Sequence, residues 1–292
     1  MEPHSAEVRG ALSFISPELI RGAAALVKRG QVIPLNTRID DPHPPVGRPP
    51  MRRTVRMHNS RRPAGPERFV LFNDDSVEFA LQGSSHLDAF AHLGLVDPKR
   101  KGVFYGDRPL TEVHPEPQAK ELGIDAFGGA IVTRGVLIDL VAGLEEASAR
   151  YLADGRTVTK ADVERCLDRQ GVTLRRGDAV LLFIGFEARR EEGGGAFPEL
   201  NAGIDGSTMD LWRGARISLL ASDNLAVERY PGDYTIHIGC LRDCGIPLGE
   251  LWSLGALASA CRADGDYEFL LVSVPLNIVG AFGSPANAVA IR

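Results

Sequence analysis

Apolar residues recur along this chain at two periods, and the breaks between them are clean. Ser16 followed by Pro17 predicts a helix start, with Ser16 as N-cap and Pro17 in the first turn. Leu19, Ile20, Ala23, Ala24, Leu26 and Val27 give that helix one apolar face, and Gly30 ends it. Residues 31–35 then read as a strand. Residues 68–72 and 77–81 read as a strand pair around the turn Asn73–Ser76. A long β-branched run covers 130–139, interrupted by Arg134-Gly135 in the manner of a bulge or close approach. A helix is predicted at about 144–153. Another opens at Thr159, with Asp162 completing its cap, and runs to Gln170-Gly171. Strands follow at 178–184 and 217–221. Residues 190–206, with Gly193-Gly194-Gly195, read as a surface loop. Residues 249–261 read as a helix with Glu250 in its first turn, where an acid complements the helix dipole. Strands at 269–276 and 289–291 close the chain. Strands alternating with helices, without a fixed repeat, predict an α/β fold in a single domain over residues 1–292, with an N-terminal helix region at 1–30.

Two stretches depart from this alternation. Residues 36–67 are rich in Pro and Arg and show neither period, so they read as a long basic loop or flap. Arginines there are expected to be solvated or at a subunit contact, with one or two available for an anionic substrate group. Residues 97–128 are also loop-like, with a short helix expected near Pro117–Leu122 and His114 on the surface. His43 and His58 give no reason to be called ligands.

Composition narrows the function. The 292 residues are 44% hydrophobic and 24% charged, enough for a substantial core. A net charge of −5 argues against a general nucleic-acid partner. No apolar run approaches the ~18 residues of a membrane span, and the first residues lack the basic and apolar regions of a secretory signal, so a cytoplasmic location is the expectation. Cys166, Cys240, Cys244 and Cys261 are expected as free thiols. The alternative is a structural zinc site built from Cys240, Cys244 and Cys261 with His237, but its spacing matches no standard zinc pattern. No Gly-rich phosphate cradle is present.

The densest candidate chemistry lies in Gln82-Gly-Ser-Ser-His-Leu-Asp-Ala-Phe-Ala-His92. In an extended chain His86, Asp88 and His92 share one face. If the chain turns helical after Asp88, Asp88 and His92 still face the same way. The Gly83-Ser84-Ser85 turn can bring Gln82 alongside. Three such polar groups buried without a shared purpose would leave several hydrogen bonds unmade. A metal site is therefore the better reading.

This stretch resembles the H-x-G-T-H-x-D-x-P-x-H motif of the putative cyclase family of metal-dependent hydrolases, the kynurenine formamidase- and isatin hydrolase-like proteins. The likeness continues in order through residues 129–139, 176–182, Ser222-Asp223-Asn224, His237 with Glu250, and the tail 280–285. It covers roughly residues 30–290. It implies a swivelling β/β/α domain, usually a homodimer or homotetramer, acting on a small molecule. By position, the resemblance makes His86 and Asp88 metal ligands and His92 the catalytic proton shuttle. His237 and Glu250 match distal ligands used where a second metal binds. Two positions differ from the motif: Gln82 stands for its first His and Phe90 for its Pro. A Gln82 carbonyl oxygen is a harder ligand than imidazole, which favours one ion per chain, Mn²⁺ or Zn²⁺ with a shift toward Mn²⁺. The expected activity is hydrolysis of an amide, lactam or lactone by metal-activated water. A metal-dependent cyclase or lyase and a non-catalytic binding protein on the same fold are the alternatives. Residues 36–67 and 190–206, Phe90 and Trp212 are candidate pocket walls, with core packing the first expectation for Trp212.

Overall fold

The computed structural model describes residues 6–41, 44–100, 102–113 and 121–292. The strands, in chain order, are β1 (Val32–Pro34), β2 (Arg52–Pro63), β3 (Phe69–Glu78), β4 (His86–Asp88), β5 (Ile131–Asp139), β6 (Thr157–Val158) and β7 (Ala179–Phe183). They continue as β8 (Gly203–Ile204), β9 (Leu219–Ser222), β10 (Leu248–Glu250), β11 (Glu268–Ser273), β12 (Gly283–Pro285) and β13 (Ala288–Ile291).

Nine of these form one sheet in the order β1-β13-β11-β5-β7-β9-β10-β4-β12. Its centre, β5 to β10, is parallel, and antiparallel strands complete both sides. The centre is buried on both faces. Ala179–Phe183 is buried at every position, which is why it reads in the sequence as a continuous apolar run. Helices Lys160–Gln170 and Gly255–Asp264 add Val163, Cys166, Leu167, Leu257, Ala258 and Cys261 to the core. The first of these helices has the predicted cap: Thr159 and Asp162 each bond the other's backbone N–H, and Gly171 closes the far end in the left-handed region. The N-terminal helix spans Pro17–Ala24 with Ser16 accepting from Leu19 N. Arg134, beside the predicted bulge, is buried in a fork with both oxygens of Asp178, while Gly135 leaves room for the ring of Phe269. Among the described residues no helix is long and apolar enough to cross a membrane.

Three expectations are corrected. The stretch 36–67 is not all loop: Arg52–Pro63 is a twelve-residue strand paired along its length with Phe69–Glu78. Asn73–Ser76 is accordingly not a turn but the middle of β3, and the true turn runs from Ala64 to Arg68. The strand was illegible because neither face of this ribbon enters the core, so no apolar period marks it. Second, the helix expected at 144–153 is instead Leu140–Leu144, started by Asp139 accepting from Ala142 N. Third, Glu250 ends strand β10, and the helix starts later, at Gly255. His43, His114 and most of the helix expected near Pro117–Leu122 lie outside the described residues.

Candidate metal centre

Strand β4 carries the motif and lies between β10 and β12. Alternation turns His86 and Asp88 to one face of the sheet and Leu87 to the other. The register places Glu250 opposite His86, and so on the same face. After Asp88 the chain is neither strand nor helix. A turn closed by His92 N donating to Ala89 O folds His92 back, and its Nδ1 lies 3.5 Å from Asp88 Oδ1.

His86, Asp88 and Glu250 each offer a ligand atom within 4.8 Å of the others, and all three residues are buried. His86 Nε2 is 3.5 Å from Asp88 Oδ1 and 3.3 Å from Glu250 Oε2. His86 Nδ1 lies 2.8 Å from Ser84 O, which fixes it as the N–H donor and leaves the Nε2 lone pair facing the carboxylates. Trp252 Nε1 donates to His86 O at 2.9 Å and holds the strand from behind. His86 Nε2 and both oxygens of Asp88 have no hydrogen-bond partner among the described residues. Each such orphan costs on the order of 1–3 kcal/mol, and three converging on one point have a common explanation in a cation. One imidazole and two carboxylates also suit a divalent ion in charge and in donor hardness.

The electrostatics carry the same signature. Burial works against charge on His86, but Asp88 and Glu250 outweigh it and raise its pKa. Burial would likewise raise the Glu250 pKa, yet His237 and His86 hold it down at about 2. His237, despite burial, is pushed up to about 10 by Glu228 and Glu250. Protons here answer an excess of negative charge.

His237 is adjacent to the trio. Its Nε2 is 3.1 Å from Glu250 Oε1, and its Nδ1 meets Glu228 Oε1 at 2.5 Å. Glu228 also accepts from the backbone N–H groups of Ile236 and His237. Sequence reasoning missed Glu228, because nothing in the spacing of Glu228 and His237 signals the contact. Gln82 packs its amide against Gly283. A Cβ on Gly283, the residue opposite Asp88 in the β4–β12 ladder, would come within 2.6 Å of the Gln82 amide. Glycine there leaves a slot on the metal face that the Gln82 amide fills. Glu250 is set by the next residue, Leu251, whose backbone is left-handed at φ 57°. Leu251 N donates to Asn224 O, and its O accepts from Ser85 Oγ. Such a conformation in a leucine is strained and persists only where the surroundings impose it.

A cleft of about 920 Å³ opens beside Ser84, Leu251 and Trp252, with Phe186 and Phe197 on its wall and Arg190 at its rim. Residues from 36–41 and 190–197 line it, from the two stretches expected to supply a pocket, together with Phe186 and Glu187. Phe90 does not line it. The ring is fully buried against Tyr105 and Phe127, and Trp212 is core as expected. Arg52 and Arg53 pair with Glu78 and Asp75 within the ribbon and do not reach the cleft. The thiol site is not assembled among the described residues. Cys240 contacts Met209 Sδ, and burial raises its pKa well above the usual thiol range.

A buried imidazole–carboxylate trio on a mixed α/β sheet defines the chain as a protein fitted to hold a divalent cation. The family model described as Putative cyclase matches residues 24–229, and the chain belongs to that family. A solved structure described as a novel cyclase is 32% identical, with a TM-score of 0.87 and coverage of 98% of this chain and 96% of that one. Isatin hydrolase A from Ralstonia solanacearum shares the fold at 15% identity, with a TM-score of 0.60 over 94% of this chain and 97% of that one. A predicted metal-dependent hydrolase from Bacillus stearothermophilus shares it at 16% identity, with a TM-score of 0.55 over 89% and 97%. No curated protein matches the sequence. The two hydrolase structures show that the fold is shared.

Proposed function

We propose that the chain is a metal-dependent hydrolase of a C–N or C–O acyl bond, an amide, lactam or lactone, in a small molecule. The observation that carries this reading is the buried trio of His86, Asp88 and Glu250, with three unpartnered atoms on His86 and Asp88, beside a His92 whose side chain is 26% exposed. His86, Asp88 and Glu250 would hold one divalent ion, Mn²⁺ or Zn²⁺, with the Gln82 amide beside Asp88 as a further oxygen donor. Such an ion supplies Lewis acidity at a carbonyl and lowers the pKa of water.

The protein's own groups then have distinct tasks. With Nδ1 turned toward Asp88, 3.5 Å from its Oδ1, His92 would take a proton from water at Nε2 and return it to the leaving group. Partial exposure lets substrate reach His92, whereas His86 is closed off. Glu228 and His237 hold Glu250 from behind. The cleft beside Trp252 has the size of a small-molecule site and an aromatic wall.

The test is elemental analysis of protein purified without chelator, beside Asp88→Ala. About one ion per chain, lost in the variant, is expected; protein with no metal that takes none up overturns the reading. With substrate in hand, His92→Ala keeps its metal and loses turnover, and uptake of labelled solvent oxygen into product separates hydrolysis from ring closure.

A further inference from the structure

An arginine that grips an anionic substrate group was the expectation for the long basic stretch, yet both arginines that line the cleft are already engaged. Arg38, from residues 36–67, has its Nε 2.8 Å from Asp40 Oδ2. Arg190 Nη2 donates to Asp41 Oδ2 at 2.8 Å and to Gly195 O at 2.7 Å, and its guanidinium lies 3.8 Å from the centroid of the Phe197 ring. Asp40 and Asp41 line the cleft as well. Each positive charge is therefore offset beside the place where a ligand carboxylate would need it.

Three other acids line the cleft, and they differ in what faces them. Glu191 pairs with Arg150 at 3.0 Å. Asp223 is buried and accepts from the backbone with both oxygens: Oδ1 from Ile184 N, and Oδ2 from Gly185 N and Phe186 N. Burial pushes its pKa up to about 7 despite these bonds. Glu187 has neither kind of support. It is in no ion pair among the described residues, and its Oε2 accepts from Ser253 Oγ at 3.1 Å. Ser253 lines the cleft too and follows Glu250 closely in the chain, so this carboxylate is tied to the segment that carries a metal ligand.

The wall beside Glu187 is apolar and held in place. Phe186 and Phe197 have ring centroids 5.9 Å apart, and Leu251 packs with them in the same small cluster. Asp223 holds the Phe186 backbone, while Asn224 and Ser85 hold that of Leu251. A ligand thus meets a pre-formed apolar surface that ends in one carboxylate without a counter-charge.

We propose that the cleft selects a substrate with an aromatic or other apolar body and a cationic group of the ammonium class seated at Glu187, and discriminates against carboxylates. Glu187 sets specificity and takes no part in bond breaking. It attracts the cation and repels the anion, so it acts on both sides of the discrimination. The inference rests on the hydrolase reading only in calling the ligand a substrate.

Three probes of similar size test it by isothermal titration calorimetry on chelated protein, at low ionic strength and about pH 7. Phenethylamine is cationic there, phenethyl alcohol neutral and hydrocinnamate anionic. The amine is expected to bind roughly tenfold tighter than hydrocinnamate, about threefold from attraction and about threefold from repulsion, with the alcohol between them. Glu187→Gln should bring the three within about twofold of one another and leave the alcohol where it was, which reports an intact cleft. Glu164→Gln, on the helix Lys160–Gln170 and outside the cleft lining, removes the same charge from the molecule and should leave the ratio unmoved. Hydrocinnamate as the tightest ligand, a ratio that survives Glu187→Gln, a ratio that falls equally in Glu164→Gln, or no saturable binding of any probe would each overturn the proposal. Chelated protein gives this result whatever the metal centre does, so a failure here is distinct from a failure of the hydrolase reading, which metal content decides.

Discussion

β4 and the β2–β3 ribbon are near neighbours in sequence and opposite in physics. β4 has three residues, all buried, with a strand on either side and Trp252 behind. The ribbon's two strands are almost wholly exposed and pair only with each other. One is fixed by everything around it and can hold orphaned donor atoms against their desolvation cost. The other has no such support, and its apolar residues stay outside the core of the described residues. A metal centre needs the first kind of environment, because ligands must stay in place when the ion is absent. An interaction surface needs the second.

The largest break in this contrast is Leu87→Ala. Leu87 is fully buried on the face of β4 opposite the ligands. Its truncation is expected to cost about 2–5 kcal/mol in denaturant unfolding of the protein. A loss under 1 kcal/mol would mean that β4 is not the rigid element described.

How much of this was legible in the sequence follows the same division. His86 and Asp88 were legible because alternation within a strand fixes their common face. The central strands were legible because burial on both faces leaves continuous apolar runs. Glu250 was not readable from its surroundings. Gly249-Glu250-Leu251 looks like a helix start, and its place opposite His86 is set by a ladder between distant segments. Resemblance to a family found it where local pattern could not. Glu228 had no signal, since a buried acid bonded to a histidine nine residues away has no local spacing rule. The ribbon was missed because alternation marks a strand only when one face is buried.

A smaller change sharpens the comparison within the buried region. Glu228→Gln keeps the shape of the contact with His237 but removes its charge. If Glu228 positions His237 and through it Glu250, metal affinity should fall about 10–100-fold, as for other partners of ligating groups. Competition against a chromogenic chelator reads this without substrate. Unchanged affinity would confine Glu228 to a structural role.

Removing the metal exposes the next effect. His237 has a pKa raised from 6.5 to about 10, so its stabilising contribution is complete below 6.5 and lost as pH rises through 10. Glu250 is lowered from 4.5 to about 2, so its contribution is complete above 4.5 and lost as pH falls through 2. Chelated protein should therefore melt highest between about pH 4.5 and 6.5 and lose several degrees toward pH 10. His237→Gln should flatten the alkaline limb. An alkaline limb that survives in this variant would place the titration elsewhere.

The smallest effect belongs to the ribbon. Val70→Thr keeps a β-branched strand former and removes only apolar character at a position already 43% exposed. Within one chain it should change unfolding stability by less than about 0.5 kcal/mol, because the side chain lies outside the core. A larger loss in denaturant unfolding would mean that the ribbon packs on its own chain.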